Sequence, residues 1–311
     1  MNRFLYPALF FLLAVCCSNG DEPGPGRLFR NYQSMRVDGR SRTFLLNLPP
    51  DYYSRDADLP LVIAMHGTAG DAHQFEQDYS FTKLANDNGF VVVYPEGVRS
   101  DGVLGIRTWN AGYCCDYATD NNVDDVGFIR ELIDYLSANY RIDPRRVYAT
   151  GMSNGGMMAY RLACEIPDKI AAIATVSCSM TTGPDISPTR AVPILHIHAE
   201  PDTKIPDEGG IGIGGYYFPP IDSVLNVWAL ADGCTSGPQL VVDNTGYSMT
   251  EWENCENNTV IRYYLTKDGG HAWPGGIKAR PGADEPSNAI DANTLIWEFF
   301  QQFEAAAPQE R

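Results

Sequence analysis

Thr150-Gly151-Met152-Ser153-Asn154-Gly155 joins a short apolar run, Arg146-Val147-Tyr148-Ala149, to Gly156-Met157-Met158-Ala159-Tyr160-Arg161-Leu162, which has helical spacing. Gly-x-Ser-x-Gly between a strand and a helix marks a nucleophile elbow. The turn is so tight that the residues two before and two after the serine must lack bulk, hence Gly151 and Gly155. The serine oxygen is thereby raised at the end of a strand, over a helix N-terminus that favours negative charge. By themselves these residues would also suit a glycine-rich turn with an ordinary serine. The rest of the chain has to decide.

Around this elbow the pattern alternates strand and helix, as in a mostly parallel sheet covered on both faces. Met35-Arg36-Val37 and Arg42 to Leu48 alternate in polarity around Asp38-Gly39 and predict an opening hairpin. Leu61 to Met65 and Phe90 to Tyr94 are continuously apolar, as buried strands are. A helix is expected over Phe75 to Asn88, and another opens at Asp124-Asp125 through Phe128, Leu132, Ile133 and Leu136. After the elbow helix, strands are expected at Ile170–Val176, Val192–Ile197 and Val260–Leu265. Helices are expected over Asp222–Asp232 and Ala289–Phe303. The fold class is α/β, a mostly parallel central sheet with helices on both faces, in one domain over residues 35–303. A frayed tail is expected over 304–311.

The length of 311 residues suits one large α/β domain. The N-terminus is a targeting segment outside the fold: Arg3, then an apolar stretch from Phe4 to Val15 too short to span a bilayer. Cys16 and Cys17 follow, then a polar Pro/Gly linker, so 1–17 is expected to be an export signal and 18–34 a flexible linker. The layout resembles a bacterial lipoprotein signal, with a lipid on Cys16 or Cys17. The expected localisation is therefore exported: secreted, periplasmic or outer-membrane lipoprotein. With 39 acidic against 23 basic residues the formal charge is -16, which argues against nucleic acid and anionic membrane surfaces as partners. A neutral ester, polyester or polysaccharide is the expected partner.

Six cysteines remain beyond the leader, and an even number in an exported chain points to disulfides. Cys234 and Cys255 flank a hairpin and are expected to pair. The adjacent Cys114 and Cys115 are then left to bridge to Cys164 and Cys178, in either combination. No Cys-x-x-Cys pair or histidine cluster calls for zinc, and no metal or cofactor is expected.

A serine hydroxyl needs a base, and the base an orienting acid. In a fold with this elbow the chain order is serine, acid, histidine. His271 follows a late strand in a glycine-rich loop, Asp268-Gly269-Gly270-His271-Ala272-Trp273-Pro274-Gly275-Gly276, and is the expected base. Asp202, in Ala199-Glu200-Pro201-Asp202-Thr203 after the preceding strand, is the expected acid, with Glu200 and Asp207 as rivals. His196 and His198 alternate on one strand face and read as hydrogen-bonded residues near the site; His73 reads as a surface helix residue. The developing oxyanion needs two backbone N–H groups. Asn154 supplies one, and the loop Met65-His66-Gly67-Thr68-Ala69-Gly70 the other, through Thr68. Trp109 and Trp273 are expected to form a substrate wall, with Tyr216, Tyr217 and Phe218 as further candidates.

With these pieces in place, the chain resembles exported α/β-hydrolases of the polyhydroxybutyrate depolymerase and feruloyl esterase family. The resemblance runs from about Arg42 to Phe303. It rests on His66-Gly67-Thr68-Ala69-Gly70, Trp109-Asn110-Ala111-Gly112 with Cys114-Cys115, Val123-Asp124-Asp125-Val126-Gly127-Phe128 and Gly151-Met152-Ser153-Asn154-Gly155-Gly156. Leu195-His196-Ile197-His198 and Gly270-His271-Ala272-Trp273-Pro274-Gly275-Gly276 complete it. It implies a cofactor-free serine esterase with Ser153 as nucleophile, Asp202 as acid and His271 as base. Two departures stand out: Ala199 occupies a position where the family commonly carries glycine, and Cys178 is outside its pattern. The implied substrates are short polyesters such as 3-hydroxybutyrate oligomers, or feruloyl and acetyl esters of plant polysaccharides. The alternatives are a peptidase of the same fold and a non-catalytic carbohydrate- or ester-binding surface lipoprotein. Dienelactone-hydrolase-like chemistry would call for cysteine at position 153.

Overall fold

The apolar runs become the centre of one ten-stranded sheet in the computed structural model, which describes residues 28–183, 188–278 and 280–305. The first four strands are β1 (Arg30–Val37), β2 (Arg40–Asn47), β3 (Leu59–Met65) and β4 (Val91–Pro95). Two short strands, β5 (Val98–Arg99) and β6 (Arg107–Thr108), form a hairpin of their own. Then come β7 (Ile142–Met152), β8 (Ala172–Val176) and β9 (Ile194–Ala199). A second small hairpin is made by β10 (Gly210–Ile211) and β11 (Tyr217–Phe218), and the sheet is completed by β12 (Ser236–Asp243), β13 (Tyr247–Glu253) and β14 (Ile261–Thr266). The order is β1-β2-β4-β3-β7-β8-β9-β14-β13-β12. From β4 to β14 neighbours run parallel, and antiparallel pairs close both flanks.

Seven helices accompany the strands among the described residues: α1 (Ala72–Tyr79), α2 (Phe81–Asn88), α3 (Asp116–Asp120), α4 (Asp125–Asn139), α5 (Asn154–Glu165), α6 (Ile221–Ala231) and α7 (Ala292–Phe300). Side chains of a strand alternate between faces, so a fully apolar strand feeds two cores. Leu61, Ile63, Val91 and Val93 pack on one face with α4, α5 and α6 through Phe128, Leu132, Met158, Leu162, Val224 and Trp228. Val62, Ala64, Val92 and Tyr94 pack on the other with α1, α2 and α7 through Phe75, Phe81 and Ile296. Each buried Val, Leu, Ile, Met or Phe side chain among them contributes roughly 1.5–3 kcal/mol.

Three expectations are corrected. The helix expected over 75–88 is two helices, because Ser80 adopts a left-handed conformation (φ 53°) between them. The linker expected over 18–34 ends earlier: residues 30–34 belong to β1, whose backbone pairs with β2 from Arg30↔Asn47 to Val37↔Arg40. The tail is held at its start, where Glu304 pairs with Arg145 at 2.9 Å and the Ala305 N–H donates to the Arg145 carbonyl at 2.8 Å. The export signal 1–17, residues 18–27 and residues 306–311 lie outside the described residues.

Candidate active site

The candidate catalytic groups gather at the C-terminal ends of β7, β9 and β14. Ser153 falls between β7 and α5 with φ 54° and ψ -122°, a conformation that costs of order 1–3 kcal/mol unless its surroundings impose it. They do. A side chain on Gly155 would drive into the Met65 and His66 carbonyls, and one on Gly151 into the Gly155 backbone. The Ser153 N–H is tied to the Val176 carbonyl at 2.9 Å.

His271 lies between the other two groups. Its Nε2 is 3.0 Å from Ser153 Oγ and its Nδ1 is 2.8 Å from Asp202 Oδ2. A carboxylate can only accept, so Nδ1 carries the proton and Nε2 is left to accept from the serine hydroxyl. Asp202 Oδ1 accepts the Lys204 and Ile205 backbone N–H groups at 2.8 and 3.0 Å. Burial pushes the Asp202 carboxyl upward, but the His271 hydrogen bond and charge and the Ile205 N–H outweigh it and hold it below the usual range. A second aspartate, Asp284, joins the two loops: its Oδ2 accepts the His271 N–H at 2.9 Å and the Lys204 ammonium at 3.0 Å. The rival acids lie elsewhere. Glu200 is exposed, and Asp207 accepts from the Tyr263 hydroxyl.

The proposed oxyanion loop is braced from behind. His66 is buried; Gly97 N–H donates to its Nε2 at 3.0 Å, so its Nδ1–H donates to the Gly67 carbonyl at 2.7 Å. Burial pushes this imidazole down to about 4, which keeps it neutral. Ala69 N–H bonds the Arg107 carbonyl and Gly70 N–H the Gly67 carbonyl, while no described residue accepts the Thr68 N–H, which belongs to the cleft lining. Asn154 begins α5, and its buried side-chain amide pairs with both backbone groups of Trp109, at 2.7 and 3.0 Å. Asp125, expected only to open α4, is buried, takes Arg42 at 2.6 Å and accepts the Asn110 N–H at 2.8 Å. The bond pattern of these brace residues was not legible in the sequence.

A cleft of about 440 Å³ opens over Ser153 and His271. Its lining is mixed: apolar groups come from Cys115, Met157, Ile213, Tyr216 and Phe218, and polar ones from Gln74, Asp78, Tyr79, Lys204 and Arg280. The expected tryptophan wall is corrected. Trp109 is fully buried and donates from Nε1 to the His66 carbonyl at 2.9 Å. Trp273 is 1 % exposed, stacks on Tyr79 and donates to Asn293 at 3.0 Å. Both rings needed a partner for an indole N–H and found it in the core. Tyr216 and Phe218 line the cleft, whereas Tyr217 between them points the other way, as strand alternation requires. His196 and His198 are buried on β9 and hydrogen-bonded, and His73 is exposed on α1.

The cysteine expectations divide. Cys234 and Cys255 are bonded across the β12–β13 hairpin. Cys114 and Cys115 are bonded to each other, not to Cys164 and Cys178, which are free thiols. Those two have other surroundings: Cys178 packs against Gly156 of the elbow helix, and Cys164 meets Thr182 at 4.0 Å. Burial pushes the Cys164 thiol up to about 12 and the Cys178 thiol higher than its ordinary value. Among the described residues no group of three or more His, Cys, Asp or Glu side chains could hold a metal ion.

Residues 43–203 match the family described as Esterase PHB depolymerase. A putative esterase, NocK, from Nocardia uniformis subsp. tsuyamanensis is 30% identical over 77% of this chain and 73% of its own length. Feruloyl esterase B of Piromyces equi is 31% identical over 72% of this chain, but the chain spans only 41% of that protein. Among solved structures, acetyl xylan esterase from Aspergillus awamori superposes with a TM-score of 0.61 at 18% identity, covering 87% of this chain and 99% of that one. That likeness concerns the fold.

Proposed function

The chain belongs to the Esterase PHB depolymerase family and is a carboxylic ester hydrolase, and from that premise we propose that Ser153, His271 and Asp202 carry its chemistry through an acyl-enzyme. The observation that carries this reading is the His271 imidazole, 3.0 Å from Ser153 Oγ and 2.8 Å from Asp202 Oδ2. His271 Nε2 takes the hydroxyl proton as Ser153 Oγ attacks the ester carbonyl. The Thr68 and Asn154 N–H groups receive the negative charge that forms on the carbonyl oxygen, a contribution of about 3 kcal/mol per donor. Collapse breaks the ester C–O bond, and His271 returns the proton to the leaving alcohol. Water, deprotonated by His271, then cleaves the acyl-enzyme and frees the acid and the serine. Asp202 stays ionised and stabilises the imidazolium.

The mixed lining supports an assignment of substrate parts. The acyl chain rests on Cys115, Met157, Ile213, Tyr216 and Phe218, and a hydroxyl-bearing alcohol meets Gln74, Asp78 and Lys204. Feruloyl and acetyl esters of plant polysaccharide have this division, whereas in 3-hydroxybutyrate oligomers the same unit stands on both sides of the ester bond. The Piromyces relative bears the name feruloyl esterase, which favours the first. Product analysis after parallel incubation with methyl ferulate, acetylated xylan and 3-hydroxybutyrate oligomers decides among them. Turnover of none would remove the assignment. The reaction takes place outside the cytoplasm, after export directed by residues 1–17, with a lipid on Cys16 or Cys17. N-terminal analysis of protein recovered from the cell envelope and the medium tests this, and an intact Met1 in the soluble cell fraction alone would refute it.

A further inference from the structure

The buried histidines of β9 are outside the triad, yet they join two of its elements by a continuous row of hydrogen bonds. The row starts on the helix that carries the nucleophile. Tyr160 Oη, two turns into α5, and Thr175 Oγ1 of β8 each lie 2.8 Å from His196 Nδ1. His196 Nε2 lies 3.3 Å from His198 Nδ1, the two rings stacked within 9° of parallel. His198 Nε2 lies 2.9 Å from the Ile205 carbonyl and 3.6 Å from Asp202 Oδ2. Residue 205 in turn donates its N–H to Asp202 Oδ1 at 3.0 Å. One peptide unit after another thus links His198 to the carboxylate that orients His271.

The proton positions along this row follow from its last member. A carbonyl oxygen has no proton, so His198 Nε2 must be the donor to Ile205. In a neutral His198 the other nitrogen is then an acceptor, which makes His196 Nε2 a donor. His196 Nδ1 is left as the acceptor facing Tyr160 and Thr175. Every ring nitrogen is satisfied in one arrangement and no other. Both rings are fully buried, and burial disfavours a second proton on either. The titratable groups facing His198 are Asp202, Asp207, His196 and His271. A charged His198 would compete with His271 for Asp202 Oδ2 and would reverse the donor order all the way to Tyr160.

We infer that His198 is a positioning residue for the hydrolysis: as a neutral donor to the Ile205 carbonyl it holds the loop that presents Asp202 to His271, with its own orientation set by His196, Tyr160 and Thr175. The inference rests on the triad reading given above. It goes beyond that reading by placing a control of the acid in the sheet core, in a residue that does not line the cleft. A displacement of about 1 Å in a catalytic group can lower a rate by roughly 100-fold, so loss of this brace is visible in kcat.

The test compares wild-type protein, Ser153→Ala, His198→Leu and His198→Gln on p-nitrophenyl acetate across pH, with circular dichroism and melting curves for each. Ser153→Ala judges the triad separately: if it retains full activity, the triad reading fails and the His198 comparison is not needed to show it. With Ser153→Ala inactive, His198→Leu is expected to lose roughly 10- to 100-fold in kcat with KM within about twofold. The acid limb of its kcat/KM profile should move to lower pH, because a misaligned Asp202 stabilises the imidazolium less. His198→Gln, whose amide N–H can reach the Ile205 carbonyl, should recover most of the kcat. A folded His198→Leu protein with wild-type kcat and an unmoved acid limb overturns the inference. So does one whose kcat falls without recovery in folded His198→Gln. If His198→Leu does not fold, Tyr160→Phe with Thr175→Val, which strips His196 Nδ1 of both donors, takes its place: a kcat lowered at least threefold with a shifted acid limb supports the inference, and an unchanged profile overturns it.

Discussion

Asp202, in the loop after β9, and Asp232, at the end of α6, are both aspartates removed from water, 3 % and 0 % exposed, yet they behave oppositely. Asp202 accepts from His271, Lys204 and Ile205 and is held below the usual carboxylate range. Asp232 has one long bond, from the Val192 N–H at 3.3 Å, and its Oδ2 has no partner among the described residues. Burial pushes Asp232 up to about 7, against a small opposing pull from that bond and from Arg190. Burial is common to both, so burial does not decide the charge; the number and polarity of the partners do. One region spends its backbone N–H groups on a permanent anion, and the other encloses a carboxyl that is neutral over much of the pH range.

Four sets of substitutions probe this contrast between the two aspartates. Ser153→Ala should lower kcat on a short p-nitrophenyl ester by roughly 10⁴- to 10⁶-fold and abolish fluorophosphonate labelling. Full retained activity would mean that the Asp202 region orients nothing. Asp202→Asn should cost on the order of 10⁴ in kcat, since an amide can present the wrong partner to His271 Nδ1. It should also destabilise the fold near neutrality: a depressed pKa contributes stability above about 4 that fades as pH falls further. A variant with near wild-type turnover would remove Asp202 as the acid.

On the other side of the comparison, Cys234→Ser with Cys255→Ser opens the clip just beyond Asp232, a sequence separation of 21 residues. A loss of about 3 kcal/mol in denaturant unfolding is expected, with kcat unchanged at 25 °C. Reduced kcat in the folded protein would show that the two regions are coupled. Asp232→Asn should have the smallest effect and the opposite sign to Asp202→Asn. A raised pKa contributes its stability in full below about 4 and loses it as pH rises towards 7. The amide keeps an acceptor for Val192, so the variant should gain about 1–2 kcal/mol over wild type at pH 8 and none at pH 4. Equal melting curves at both pH values would show that Asp232 titrates normally.

Much of the site was legible because its groups are constrained locally. The elbow needs Gly151 and Gly155 for steric reasons, and His271 sits in a glycine-rich loop after a late strand. Asp124 caps α4 through the Gly127 N–H, as its position predicted. The tryptophans mark the limit. Trp109 and Trp273 sit next to candidate site loops in sequence, but a ring on such a loop can point to either side of it, and both point inward. Cys114 and Cys115 were equally opaque, since chain spacing says nothing about which sulfur is nearest in space. The His66, Asn154 and Asp125 braces depend on bonds spanning 15 to 45 residues.

Local sterics and the two periods of the backbone already determined the α/β class and the elbow, because those properties belong to short stretches of chain. Which carboxylate meets the imidazole, which aromatic rings face the cleft, and whether a buried aspartate is an anion were decided by the tertiary structure alone. Each depends on groups brought together from distant segments, and hydrogen bonding and desolvation act over a few ångströms of space whatever the separation along the chain.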